Sequence, residues 1–204
     1  PSTKRPRAPP ALGDYPPPTL LAAGIAGRRA GTRGDVLWAF SRRDLFAPGL
    51  AMAGLPPGRV IYAECRGDEE VLAVMEEGLK HRGLAAVVGE VARAQMASTR
   101  RLQLAAEEGE TIALMLKRWR RSGEDPLALP SAAVTRWRIA CVPSAPLPVE
   151  GIARPRWRLS LARQRGGEPF TWIMEGPDGE GRLALPAVFR DRADMPGRAN
   201  RIAA

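Results

Sequence analysis

The chain has few of the side chains from which zinc sites and disulfides are built. Its only histidine is His81, and its two cysteines, Cys65 and Cys141, lie far apart in the sequence. A structural zinc site needs four such ligands at close spacing, so the sequence offers no basis for one. Each cysteine ends an apolar run, which indicates a reduced thiol at the edge of a core. His81 follows a segment that is acidic at its start and basic at its end, a distribution typical of a structural helix.

The sequence also lacks the glycine-rich loops that hold nucleotide phosphates. No G-x-x-x-x-G-K-[ST] loop is present, and residues 27–31 have neither its spacing nor its Lys-Ser/Thr ending. The dinucleotide loop G-x-G-x-x-G and the nucleophile elbow G-x-S-x-G are absent as well. No apolar run approaches the roughly 20 residues that span a bilayer. We therefore predict a cytoplasmic protein with no cofactor, no bound metal and no membrane partner.

Charge is the clearest compositional feature. The 204-residue chain has 31 Lys and Arg against 22 Asp and Glu, a net charge of +9. Such a balance favours acidic partners, either nucleic acid or an acidic face of another protein. Most of the basic residues are arginine, which together with abundant alanine, glycine and proline is typical of GC-rich coding. The charge alone is therefore a weak indication of nucleic-acid binding.

Short apolar runs alternate with segments of helical periodicity between residues 35 and 144. This alternation predicts an α/β protein with a mostly parallel central sheet and helices on its faces. Asp44 and Asp68 stand at expected helix starts and are predicted N-caps, and Thr19 is the predicted N-cap of a short helix before the sheet. The apolar runs occupy residues 36–40, 59–63, 84–88 and 111–116.

The later part of the chain changes to a period of two. Large apolar residues alternate there with polar or basic ones, which predicts antiparallel strands that extend the sheet and keep one face in solvent. The expected strands are 134–142, 156–165 and 170–175. The predicted organisation is a flexible Pro-rich basic arm at 1–18, a single domain at 19–185 with its core at 35–144 and appended strands at 145–185, and a mobile tail at 186–204.

Arginine is interleaved with tryptophan in three clusters. Residues 117–121 read Lys-Arg-Trp-Arg-Arg, and the triplet Arg-Trp-Arg occurs at 136–138 and again at 156–158. On a strand the two arginines of a triplet share one face and the tryptophan points to the other, towards the core. Two interpretations stay open: a basic face that binds phosphates or carboxylates, or an ordinary solvated strand face. The candidate DNA-binding or partner-binding residues are Lys117, Arg118, Arg120, Arg121, Arg136, Arg138, Arg156 and Arg158.

Several phrases of the sequence resemble known proteins. They are Asp35-Val-Leu-Trp, Ala53-Gly-Leu-Pro-Pro-Gly-Arg-Val-Ile, Val74-Met-Glu-Glu-Gly-Leu, Leu84-Ala-Ala-Val-Val-Gly-Glu-Val, Ser98-Thr-Arg-Arg-Leu-Gln-Leu-Ala-Ala and Arg154-Pro-Arg-Trp-Arg-Leu-Ser-Leu-Ala-Arg-Gln-Arg-Gly-Gly. Residues 35–142 resemble the RecA core, and the chain is more closely similar to the ImuA family of bacterial damage-inducible mutagenesis proteins. The likeness implies a RecA-like core extended by C-terminal antiparallel strands.

The resemblance implies a role and a set of partners. ImuA-like proteins act with ImuB, a Y-family-like polymerase relative, and with an error-prone DnaE-type polymerase in translesion synthesis during the SOS response. RecA and DNA are further candidate partners. The chain departs from RecA where RecA does chemistry: Ser41-Arg-Arg stands in place of a catalytic glutamate, and Glu90 is an imperfect substitute for the magnesium-binding aspartate. We therefore expect a non-catalytic adaptor rather than an enzyme.

Two other functions remain as alternatives. One is a weak ATPase or nucleotide-dependent DNA-binding protein, whose signature is ATP binding that Glu90→Gln abolishes. The other is a cell-division inhibitor of the SulA type, because that family also has a RecA-like core. Direct binding to the tubulin-like division protein would distinguish the second alternative, and no sequence feature favours it.

Overall fold

The computed structural model describes residues 16–31, 34–118, 125, 127–164, 166–178 and 180–185. None of the helices in these residues is long and apolar enough to cross a membrane. In chain order the elements are α1 (Pro16–Ala30), β1 (Asp35–Phe40), α2 (Ala47–Met52), a 3-10 turn (Pro57–Arg59), β2 (Val60–Glu64), α3 (Asp68–Lys80), β3 (Leu84–Val91), α4 (Met96–Glu108), β4 (Ile112–Lys117), β5 (Thr135–Val142), β6 (Arg156–Gln164) and β7 (Phe170–Glu175).

The first four strands form one parallel sheet in the order β2-β1-β3-β4. Its strands are the apolar runs seen in the sequence, and the predicted fold class is confirmed. The connection from β1 leads to one side of the sheet and the connection from β3 leads to the other. Open α/β sheets place their ligand crevices outside the carboxyl ends of strands at such a reversal. A functional site in this fold is therefore expected where β1 and β3 end.

Each face of the parallel sheet has its own core. On one face α1 and α2 cover Trp38, which is fully buried together with Leu50 of α2. On the other face α3 and α4 cover Leu37, with Met75 of α3 and Leu102 of α4 among the buried side chains. Residues 36–40 of β1 are buried throughout, which explains why this strand is a continuous apolar run rather than an alternating one.

The three C-terminal strands are antiparallel, as predicted, in the order β5-β6-β7. Among the described residues they form a sheet of their own instead of continuing the edge of the parallel sheet. Their apolar face needs a surface to cover it, and α1 supplies Leu21, which packs against Trp157 and Leu159. Helix α1 thus contacts both sheets: its buried alanines face the parallel sheet, Leu21 faces the antiparallel one, and Leu20 packs against both.

The helix starts differ from the sequence-based expectation. Helix α1 begins at Pro16, within the predicted arm and before Thr19, because prolines are tolerated in a first turn whose N–H groups have no helical partner. The N-cap positions of α2 and α3 are held by Phe46 and Gly67, not by the predicted aspartates. The predicted tail at 186–204 and residues 1–15 of the arm lie outside the described residues.

The two aspartates have other partners. Asp68, at the first position of α3, accepts hydrogen bonds from the backbone N–H groups of Ala92 and Arg93, at 3.0 and 2.8 Å. It therefore joins the start of α3 to the segment that follows β3. Asp44 lies in the turn after β1 and forms ion pairs with Arg42, at 3.3 Å, and Arg118, at 3.5 Å. Both carboxylates therefore organise the carboxyl end of the parallel sheet.

Candidate functional site

Glu90 is the buried acid at the carboxyl end of the parallel sheet. It lies near the end of β3 and is only 4% exposed. The indole Nε1 of Trp38, in the neighbouring β1, donates a hydrogen bond to Glu90 Oε1 over 2.9 Å. A carboxylate in such a place needs hydrogen bonds to be tolerated. One of its two oxygens is thus held by the core itself.

Arg118 engages the other oxygen. Its Nε donates to Glu90 Oε2 over 2.8 Å, and its guanidinium group also lies 3.5 Å from Asp44. The backbone N–H of Arg118 donates to the carbonyl of Val91, which fixes the start of this side chain beside β3. The Arg118 side chain is 16% exposed. We call Glu90, Trp38, Arg118 and Asp44 the Glu90 cluster.

The resemblance of the sequence to RecA implies that Glu90 stands in imperfectly for a magnesium-binding aspartate. A magnesium ligand needs a free carboxylate oxygen pointing at the ion. Here both oxygens of Glu90 accept hydrogen bonds, one from a neutral indole and one from a positive guanidinium group. A cation at this point would face the charge of Arg118. The arrangement suits a structural ion pair between β1, β3 and the end of β4.

Arg118 was predicted as a contact residue, and the structure turns it inward. Glu90 and Arg118 are distant along the chain, so hydrophobic period does not pair them. One signal pointed to a partner for Glu90: it is the only acid within the apolar run of β3, and a buried acid requires a donor. Two other candidates, Arg120 and Arg121, lie outside the described residues.

The two arginines of the first triplet hold the loop that precedes β5. Arg136 donates to the carbonyl oxygens of Leu127 and Leu129, at 2.7 and 2.9 Å. Arg138 donates to both carboxylate oxygens of Asp125, at 2.8 and 2.7 Å, in a bidentate pair. Both side chains are only partly exposed. Their first structural role is therefore to anchor this loop onto the second sheet.

Lys117, the last residue of β4, lies close to this basic group. Partial burial lowers the pKa of Lys117, and the positive charge of Arg136 lowers it further. Burial likewise lowers the pKa of Arg136, with an added contribution from Arg163 and an opposing one from Asp125. Positive charges thus lie close together around Arg136. An anion that binds near them would be stabilised by this charge.

The two arginines of the second triplet, Arg156 and Arg158, have different surroundings. Arg156 lies 3.6 Å from Glu175 of the adjacent β7, and its buried Nε has no hydrogen-bond partner among the described residues. Arg158 is exposed on the same face of the sheet. Among the candidates that the structure describes, Arg158 is thus the one most accessible to a partner.

The tryptophans of the triplets point away from their arginines, as predicted. Trp157 is 1% exposed and belongs to the core beneath α1. Trp137 is partly exposed and stacks on Trp172 of β7, with ring centroids 5.6 Å apart and planes inclined by 16°. Phe170 stands edge-on to Trp172 at 3.9 Å. The face opposite the arginines therefore consists of a buried tryptophan and a partly exposed aromatic group.

Comparison with known proteins gives the family. No family model matches the chain. Two curated relatives named Protein ImuA, from two strains of Caulobacter vibrioides, are each 39% identical to it over 165 residues, which is 78% of this chain. The chain belongs to the ImuA family. It spans 66% of the length of each of these relatives, so activities of a whole ImuA protein are proposals for this chain.

One solved structure is also similar to this ImuA-family chain. It is the crystal structure of SulA from Pseudomonas aeruginosa, with 22% sequence identity and a TM-score of 0.43. The match covers 50% of this chain and 89% of the SulA chain.

Proposed function

We propose that this ImuA-family chain is a non-catalytic, cytoplasmic adaptor of a bacterial translesion-synthesis complex. Membership of the ImuA family supports a role in damage-inducible mutagenesis. The adaptor would bind an ImuB-like relative of the Y-family polymerases and, in the same assembly, an error-prone DnaE-type polymerase. RecA and DNA are further partners to be tested.

The observation that carries the non-catalytic part of the proposal is the state of Glu90. Phosphoryl transfer needs a phosphate-binding loop, a carboxylate for magnesium and a group that positions the attacking water. Both carboxylate oxygens of Glu90 accept hydrogen bonds, one from Trp38 and one from Arg118, so neither oxygen is available to a magnesium ion. A rigid sheet end of this kind favours a scaffold over a nucleotide-driven switch.

Nucleotide binding is the alternative that this geometry disfavours, and it is directly measurable. Titration of the full chain with Mg-ATP in a calorimeter should give no saturable heat up to millimolar ATP. Saturable binding that Glu90→Gln removes would overturn the non-catalytic proposal. Arg43→Ala is a suitable control, because it removes an exposed arginine of a surface ion pair.

Partner binding is the second measurement. The purified chain should retain the ImuB-like protein on an affinity resin. Charge reversal of Arg158, which is exposed, is expected to weaken that retention. Arg138 is less suitable for this test, because it holds the loop before β5 through Asp125. Absence of any complex with the ImuB-like protein would contradict the adaptor proposal.

The dependence of DNA affinity on salt concentration tests whether the basic strands contact DNA directly. If arginines such as Arg158 contact phosphates, the affinity for DNA must fall steeply as salt rises, because each contact releases counterions. Binding that is negligible at low salt would leave protein partners as the targets of the basic strands.

A further inference from the structure

A groove runs between α4 and the segment that leads into β5. Its volume is about 230 Å³. Two of its lining residues, Met96 and Val134, are 50% and 49% exposed, and Ala132 and Ala133 continue the apolar floor. Exposed aliphatic side chains that line a concavity are typical of a surface that receives another apolar group. Methionine in particular adapts to varied partners because its side chain is unbranched and flexible.

The walls of the groove are joined by specific contacts. Thr99, which is buried in α4, accepts a hydrogen bond on its Oγ1 from the backbone N–H of Ala132 over 3.0 Å. Ser131 Oγ accepts another from the N–H of Ala133, at 3.3 Å. These bonds fix the segment against the helix. The groove is therefore a formed feature of the fold, which reduces the ordering cost of binding.

The charges of the groove are of one sign. Arg100 and Arg163 belong to its lining, and no carboxylate does among the residues that the structure describes. Arg100 donates to the neutral Gln103, and neither arginine lies within 4 Å of a carboxylate in the described part of the chain. Arg163 also lies close enough to Arg136 to disfavour its charge. An anionic group placed in the groove would therefore meet uncompensated positive charge on both walls.

We propose that this groove binds an extended peptide segment of a protein partner, in which aliphatic side chains are flanked by aspartate or glutamate. Aliphatic side chains would fill the space between Met96 and Val134, and carboxylates would pair with Arg100 and Arg163. Nucleic acid fits less well, because the space between the two arginines is lined by Met96 and Val134, and the described lining residues include no aromatic ring on which a base stacks. This inference rests on the adaptor function proposed above and specifies one of its contact sites.

Overlapping peptides that cover the ImuB-like protein provide the test. The full chain is applied to the peptides, and positive peptides are measured by fluorescence anisotropy. We expect acidic peptides with aliphatic residues to bind, and the variant R100E/R163E to lower their affinity about tenfold or more, the loss expected for charge-assisted contacts. Arg66→Glu is the matched control, because its side chain is 97% exposed and lies outside the groove.

The outcomes separate this site from the adaptor function. If the whole ImuB-like protein binds and no peptide does, or if R100E/R163E binds as well as the parent chain, the groove is not the site and the adaptor function stands. If oligo(dT) binds through these arginines while acidic peptides do not, the groove is a nucleic-acid site. If the whole ImuB-like protein does not bind this chain, both the adaptor function and the groove proposal are wrong. The single variants decide the matter if the double variant folds poorly, and Met96→Glu tests the apolar part independently.

Discussion

Arg118 Nε lies 2.8 Å from Glu90 Oε2, at the carboxyl end of the parallel sheet. The pair joins the residue that follows β4 to the interior of β3, and Asp44 and Trp38 complete the Glu90 cluster. Because Glu90 is 4% exposed, its charge has little access to water. The Glu90 cluster thus ties three neighbouring strands together.

Removal of Arg118 should destabilise the protein strongly. Arg118→Ala leaves the buried carboxylate of Glu90 with only the Trp38 indole, and loss of one member of a buried pair costs about 3–5 kcal/mol of unfolding free energy. Urea unfolding at neutral pH measures this change. Arg43→Ala removes an arginine from a pair of similar length, 2.7 Å to Glu64, whose side chains are 81% and 50% exposed. We expect that control to change the unfolding free energy much less, because solvent screens an exposed ion pair.

A double-mutant cycle separates the pair from the burial of its members. E90Q/R118M should cost less than the sum of the single changes, because it removes both charges together. A strictly additive result would mean that Glu90 and Arg118 do not interact in solution.

Gly27 should be essential for the packing of α1. A Cβ atom at this position would lie 2.2 Å from the carbonyl oxygen of Gly54, which is backbone and has little freedom to move. Gly27→Ala is therefore expected to lower the unfolding free energy by about 1–3 kcal/mol despite the better helix propensity of alanine. Thermal or urea unfolding measures this change.

Gly24 provides the control in the same helix. A Cβ atom there would have its nearest neighbours at 3.4 Å, an ordinary contact. Gly24→Ala should be neutral or stabilising by up to about 1 kcal/mol, since alanine favours the helix. Equal effects of the two substitutions would contradict the close approach of α1 to the α2–β2 turn.

The two faces of the second Arg-Trp-Arg triplet should respond differently to truncation. Trp157→Ala opens a cavity under α1, where the side chain is 1% exposed, and should cost about 3–5 kcal/mol. Arg158→Ala, its exposed neighbour in β6, should change the unfolding free energy by no more than about 0.5 kcal/mol. A small effect of Trp157→Ala would show that the antiparallel sheet does not pack on α1.

Much of the fold could be predicted from the sequence, because the spacing of the apolar residues determines where the strands and helices lie. The strands of both sheets lie within a few residues of their predicted positions. The largest difference is β3, predicted to end at Val88 and observed to continue to Val91. Gly89 and Glu90 resemble a strand end in sequence, but Glu90 stays in the strand because Trp38 and Arg118 supply its hydrogen bonds.

The candidate site was less readable, for a physical reason. Period two places Arg136 and Arg138 on one face of β5, but it carries no information on the loop that folds back over that face. Asp125 and the carbonyl of Leu127 meet these arginines through tertiary contacts between separate segments. A partner-binding role for the remaining basic residues therefore stays a prediction, and the groove beside α4 was not visible in the pattern at all.

The charge of Lys117 should make stability rise with pH in alkaline solution. Burial and the nearby Arg136 lower the pKa of Lys117 from its ordinary value of 10.5, so the unfolded chain binds more protons than the folded one between the two pKa values. Lys117→Met should therefore stabilise the protein at pH 7, and this advantage should shrink as the pH approaches 10.5. Urea unfolding at pH 7, 9 and 10.5 measures the difference.

Lys80 gives the opposite sign and serves as the control. Hydrogen bonds to Glu77 and Glu76 raise the pKa of Lys80, so its contribution to stability is present below its ordinary pKa and is lost as the pH rises through the raised value. Lys80→Met should thus be slightly destabilising at pH 7, while Lys117→Met is stabilising. If Lys117→Met destabilises the protein at pH 7, or if its effect does not vary with pH, the pKa of Lys117 is not lowered in the folded protein.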